Sequence, residues 1–151
     1  MRCSDTRELY GASRASEAKR RSPRELGFQV EEQACRYLEQ NGYRVICRNF
    51  VSRYGEIDIV ALEGHTLAFV EVRYRRTGSL VTPQESIDAR KVRRIRLAVR
   101  DFVARHSGGT SGYSSIRVDL CAVSGNLEAF CGGNRNQPNL EFEVIKGIIH
   151  F

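Results

Sequence analysis

The stretch GEIDIVALEGHTLAFVEVRYRR, residues 55–76, decides the reading of this chain. Two runs rich in β-branched and aliphatic residues flank Glu63-Gly64-His65-Thr66, the pattern of a β-hairpin with strands over 56–62 and 67–74. Alternate residues of a strand share a face. Ile57, Ile59 and Ala61 are therefore expected on one face, and Glu56, Asp58, Val60 and Leu62 on the other. On the second strand Ala68, Val70, Val72 and Tyr74 oppose Phe69, Glu71, Arg73 and Arg75. A turn symmetric about Gly64-His65 sets Asp58 opposite Glu71 and Glu56 opposite Arg73.

A Glu56–Arg73 pair would be an ordinary cross-strand ion pair. Two acids directly opposite each other destabilise a ladder. A one-residue slip would part them, but it would also set the apolar faces against each other. The repulsion therefore needs protonation, a nearby cation or a bound metal. Two facing carboxylates offering only oxygen suit Mg²⁺ or Mn²⁺. The alternative is a surface hairpin whose acids splay into water and pair with arginines, and spacing alone leaves both open.

Working outward, a helical stripe of Leu26, Val30, Ala34, Tyr37 and Leu38 predicts a helix from Glu25 to about Gln40, stopped by Asn41-Gly42. Glu31 lies on the edge of that stripe, where it could reach the sheet's acids or stand as a rim glutamate on a surface helix, and Glu32 lies well outside it. A first strand is expected over 43–51. Thr82-Pro83-Gln84-Glu85 has the form of a capping box with proline at the first helical position, ahead of a long helix from about Asp88 to Arg105. Strands over 115–123 and 141–149 complete the order α-β-β-β-α-β-β, which calls for an α/β sandwich around a mixed sheet. Residues 1–23 are rich in Arg, Ser, Ala and Glu without an apolar stripe, and are read as a flexible basic leader ahead of one domain over 24–151.

The charge is concentrated. The formal net charge is +6. Arg73, Arg75, Arg76, Arg90, Lys91, Arg93, Arg94, Arg96, Arg100 and Arg105 face only Glu85, Asp88 and Asp101 in the same span. Such a surface draws polyanions by releasing their counter-ions, so nucleic acid is the expected partner. A solvated basic helix face, or a surface for an acidic protein, explains the charge as well. No apolar run approaches the roughly 20 residues of a membrane span, and the basic N-terminus lacks the apolar stretch of a secretory signal. Five cysteines without C-x-x-C spacing fit neither a disulfide framework nor a zinc knuckle, and point to a reducing cytoplasm. Asp119, alternating with Arg117, is expected to buttress the site by holding an arginine rather than to ligate a metal.

GEIDIVA, LAFVEVRYR and SIDARKVRRI, with ACRYLEQNGYRVICRNF and RVDLCAV around them, resemble the YraN family of small bacterial proteins from about Glu25 onward. That family is similar to the restriction-endonuclease-like, PD-(D/E)XK-type fold of archaeal Holliday-junction resolvases. The resemblance implies a three-layer sandwich with a central mixed sheet. It also implies a helix glutamate, an aspartate on the second strand and E-x-K on the third, which match Glu31, Asp58, Glu71 and Arg73. Glu56 is an additional acid beside the expected aspartate. Arg73 departs from the pattern: arginine neutralises phosphate charge but, with a pKa above about 12, serves as no base.

Two functions follow as expectations. The first is a metal-dependent endonuclease without strong sequence readout, acting on DNA more readily than RNA. Asp58, Glu71, Glu31 and Glu56 would hold Mg²⁺ or Mn²⁺, and Arg73 would act on the phosphate. Arg75, Arg76, Gln84, Arg90, Lys91, Arg93, Arg94, Arg96 and Arg100 would grip neighbouring phosphates. Junction-cutting relatives of the fold work as dimers, which extends the expectation to a homodimer. The second is a nucleic-acid-binding protein on the same fold with little or no catalysis.

Overall fold

A computed structural model of the chain describes residues 22–76, 88–106, 112–125 and 139–151. The elements follow the expected order: α1 (Pro23–Gln40), β1 (Tyr43–Ser52), β2 (Gly55–Glu63), β3 (Thr66–Arg76), α2 (Ala89–His106), β4 (Ser115–Gly125) and β5 (Leu140–His150). The start of α1 corrects the expected Glu25. Ser22 caps the helix, its hydroxyl accepting from the Glu25 N–H at 3.3 Å while Glu25 Oε2 accepts from the Ser22 N–H at 2.7 Å, with Pro23 in the first turn. This reciprocal cap satisfies two backbone donors that a helix otherwise leaves open. The capping box expected at Thr82–Glu85, and nearly all of the leader, lie outside the described residues.

The five strands form one sheet in the order β1-β2-β3-β4-β5. Only β3 and β4 run parallel, because α2 carries the chain from one end of the sheet back to the other between them. α1 covers one face, packing Val30, Ala34 and Leu38 on Ile59, Ala68, Val70 and Cys121. α2 covers the other, packing Ile95, Val99 and Phe102 on Val60, Leu67, Phe69 and Val118. Phe102 meets Phe50 and Phe69 edge-on, with ring centroids 5.0 Å and 5.4 Å away. Burying each such side chain contributes about 1.5–3 kcal/mol, so the helix that carries the basic surface is fixed to the sheet by its apolar stripe. The result is an α–β–α sandwich.

Asp119 is fully buried on the α1 face, where β4 and β5 change register. It accepts from Arg117 Nε at 2.8 Å, from the Gly147 N–H at 2.8 Å and from the Tyr43 hydroxyl at 3.2 Å. Asp119 does hold an arginine, as expected, but Arg117 turns toward Glu63 and the hairpin end of the sheet. That network closes the β4–β5 irregularity and lies across the sheet from Glu71. Among the described residues no helix is long and apolar enough to cross a membrane.

Candidate functional site

The hairpin register is the one that a symmetric turn dictates, from Glu63↔Thr66 to Ile59↔Val70. There the ladder ends. Beyond it β2 stays with β1, down to Ser52↔Gly55, while β3 stays with β4, out to Arg76↔Gly125. The two strands part like a fork, with Asp58 and Glu71 at its apex. Asp58 Oδ2 accepts the Val72 N–H at 2.7 Å, so a side chain replaces the backbone partner that the ladder would have supplied. The parting also breaks the expected alternation. Ile57 packs with Phe50 on the α2 face, and not beside Ile59 and Ala61, because a strand freed from one neighbour twists to follow the other.

Gly55, at the mouth of the fork, is required by its surroundings. Its φ is 150°, and a Cβ there would come within 3.3 Å of Arg94 Nη2. Arg94 Nε donates to the Tyr54 carbonyl at 3.1 Å, which ties α2 to the β1–β2 turn. Arg94, expected to grip phosphate, is thus engaged with the chain's own backbone.

Between the fork and α2 lies a cleft of about 440 Å³, lined by Glu56, Asp58, Glu71, Arg73 and Lys91 among others. Lys91 Nζ donates to Glu71 Oε1 at 2.5 Å, and Arg73 Nη2 stands 3.0 Å from the same oxygen. Arg73 pairs with Glu71, so the expected Glu56–Arg73 pair is replaced. The Asp58 carboxyl is pushed up to about 7, chiefly by burial and then by the charge of Glu71, with Glu31 adding to it and the Val72 N–H opposing. Burial also raises Glu71, with Arg73 opposing and Glu56 adding to the rise. Burial is the first cause of both rises, and of the two acids it is Glu71 that has Lys91 and Arg73 beside it.

Asp58, Glu71 and Arg73 come together, and Glu56 lines the same cleft. Glu31 reaches it from α1 through a residue that the sequence did not single out. Asn49 Nδ2 donates to Glu31 Oε2 at 2.9 Å and lies 3.3 Å from Glu56 Oε1, with its backbone at φ 51°. Asparagine is among the few residues that adopt that conformation readily. Glu32, expected outside, pairs with Arg48 at 2.6 Å. Among the described residues no three His, Cys, Asp or Glu side chains converge on one point. The donor set at the fork is two carboxylates, which fits Mg²⁺, an ion usually held by one or two carboxylates with water and phosphate oxygens completing its shell.

Of the expected phosphate-gripping residues, Arg90, Arg93, Arg96 and Arg100 are exposed on α2, although the Arg96 guanidinium lies 5.7 Å from the Phe151 ring centroid. Arg75 and Arg76 end β3 beyond the fork, and Gln84 lies outside the described residues. Lys91, grouped with these in the sequence, turns into the cleft. In the sequence it is the lone lysine in a run of arginines from Arg90 to Arg100, and the family resemblance matches it, with Gln84, less closely than it matches Glu31, Asp58, Glu71 and Arg73.

A family model described as "Uncharacterised protein family UPF0102" matches residues 30–123, from the middle of α1 to near the end of β4. The chain belongs to UPF0102. This is the family of the YraN proteins. The UPF0102 protein of Rhodococcus opacus (strain B4) is 42% identical over 98 residues, covering 65% of this chain and 80% of the relative. That of Caldicellulosiruptor saccharolyticus is 38% identical over 105 residues, covering 70% and 86%. That of Halorhodospira halophila is 37% identical over 112 residues, covering 74% and 88%. The segment matched by the UPF0102 model contains Glu31, Asn49, Asp58, Glu71, Arg73 and Lys91.

Proposed function

We propose that this UPF0102 protein is a divalent-cation-dependent nuclease on a restriction-endonuclease-like version of the α/β sandwich, with DNA as its substrate. One observation carries the reading: Asp58 and Glu71 share the apex of a strand fork, inside a cleft roofed by a basic helix. A Mg²⁺ or Mn²⁺ ion held by this pair would supply an activated water and offset charge on the phosphate. Asp58 is oriented for that role by the Val72 N–H, and Glu31 and Glu56 are held near it by Asn49. Arg73 neutralises a non-bridging phosphate oxygen, as its fixed charge allows, and abstracts no proton. Arg90, Arg93 and Arg100 hold flanking phosphates, contacts that position a strand without reading its bases.

A second reading, a binding protein without catalysis, is favoured by the pairing of Glu71 with both Lys91 and Arg73, which leaves this acid neutralised with no metal present. Labelled single-stranded, duplex and branched DNA incubated with Mg²⁺ or Mn²⁺ separates the two. Cutting by the wild type, absent from Asp58→Ala and Glu71→Ala, supports the nuclease. Salt-sensitive binding without cutting, equal in all three proteins, supports the binding protein.

A further inference from the structure

Glu71 Oε1 carries two cationic partners, and they differ in kind. Arg73 is fixed by the strand, and its Nε is buried with no hydrogen-bond partner. Lys91 reaches the same oxygen on a four-carbon stem from the first turn of α2. Its backbone is pinned there: the Lys91 N–H donates to Asp88 Oδ1 at 2.7 Å, and the Val92 N–H donates to the Asp88 carbonyl at 3.0 Å. Only the stem is free to move. The Lys91 side chain is 24% exposed and that of Glu71 is 11% exposed, so the lysine is the more solvent-exposed member of the pair.

A cation bound to Glu71 Oε1 sits roughly 2 Å from it, and the ammonium sits 2.5 Å from the same atom. The two positive centres would then lie within about 4.5 Å in a part-buried cleft, where like charges repel more than they do in open water. A lysine ammonium, a compact charge on a flexible stem, yields more readily than a planar guanidinium. A swing of the stem would carry it away from Glu71 within the cleft, which Arg90 also lines.

We propose that Lys91 is the resident counter-ion that a divalent cation displaces from Glu71, and that the freed ammonium then takes a phosphate oxygen of the nucleic acid. Cation loading and polyanion binding are thereby coupled through one side chain. The inference rests on the metal-dependent reading above, and the test separates the two.

Mn²⁺ is titrated calorimetrically into the nucleic-acid-free protein. Lys91→Met binds it about tenfold more tightly than wild type, a difference of about 1.4 kcal/mol, whereas Lys91→Arg, whose guanidinium keeps the charge and yields less readily, binds it more weakly than wild type. Anisotropy of a labelled duplex, with Ca²⁺ used to avoid hydrolysis, reads the second half. Ca²⁺ strengthens duplex binding by the wild type and does so less for Lys91→Met. Should Lys91→Met fail to fold, Lys91→Gln removes the charge while keeping a donor for Glu71, and the same tightening is expected. Mn²⁺ affinity unchanged or weakened by removing the charge overturns the role of Lys91 and leaves the metal site standing. Absence of Mn²⁺ binding in every variant overturns the metal site, and this inference with it.

Discussion

Asp58→Asn is expected to stabilise the metal-free protein, and to do so more at high pH than at low. Asparagine has nearly the shape of aspartate, and its amide oxygen still accepts the Val72 N–H that holds Oδ2 at 2.7 Å in the wild type. What disappears is a charge that the folded state disfavours. The Asp58 carboxyl titrates near 7 in the fold against 3.8 as an ordinary aspartate. The unfolded chain therefore ionises first as pH rises, and stability is lost progressively from about pH 4 to pH 7. At 1.36 kcal/mol per pH unit, the full cost above pH 8 is at most about 4 kcal/mol, of which roughly 3 kcal/mol accrues between pH 5 and pH 8. For a domain of this size that corresponds to roughly 6–12 °C in melting temperature. Chelator-treated wild type and Asp58→Asn, melted in parallel from pH 5 to pH 8, should diverge, with the variant gaining as pH rises. Parallel curves with a constant offset would refute the argument that burial and the charge of Glu71 destabilise an ionised Asp58.

Gly55→Ala forces a side chain against the Arg94 guanidinium at a backbone angle that alanine rarely adopts, and should cost on the order of 1–3 kcal/mol in urea unfolding. Asp119→Ala leaves the Gly147 N–H without its acceptor and Arg117 with Glu63 alone as its acidic partner, and should cost about 1–3 kcal/mol. DNA affinity of the folded fraction should stay unchanged, since the network lies on the α1 face. Arg93→Ala or Arg100→Ala should each flatten the dependence of log affinity for duplex DNA on log salt by about 0.9, as measured by anisotropy. Arg94→Ala should instead lower the melting temperature, because that arginine holds the Tyr54 carbonyl.

The order of elements and the hairpin register were legible because both rest on short-range rules. The 3.6-residue stripe of α1, the two-residue alternation of the strands and the Gly64-His65 turn each constrain their neighbours directly. The facing of Ile57 was not legible, because it depends on β2 leaving β3 after Ile59↔Val70 and pairing Ile57 with Phe50 of β1 alone. Ser22-Pro23-Arg24-Glu25 and Thr82-Pro83-Gln84-Glu85 share one pattern, yet reading the first as the end of a leader concealed its role as the cap of α1. Asp58 and Glu71 were found because like charges opposed across a ladder are a local anomaly. Asn49 and Lys91 were missed as members of the cleft because their roles depend on contacts between separate elements. Asn49 links α1 to β2, and Lys91 links α2 to β3. Composition marked Lys91 only as one more positive charge, whereas its reach into the cleft follows from the seating of Ile95, Val99 and Phe102 on the sheet.

The central claim is that the fork at Asp58 and Glu71 holds a divalent cation. Crystals grown with Mn²⁺, measured by anomalous diffraction, test it most directly. A peak roughly 2 Å from an oxygen of each carboxylate, with Lys91 withdrawn from Glu71, is the predicted result. No peak at the fork at saturating Mn²⁺, with Lys91 and Arg73 still paired to Glu71, would contradict the account.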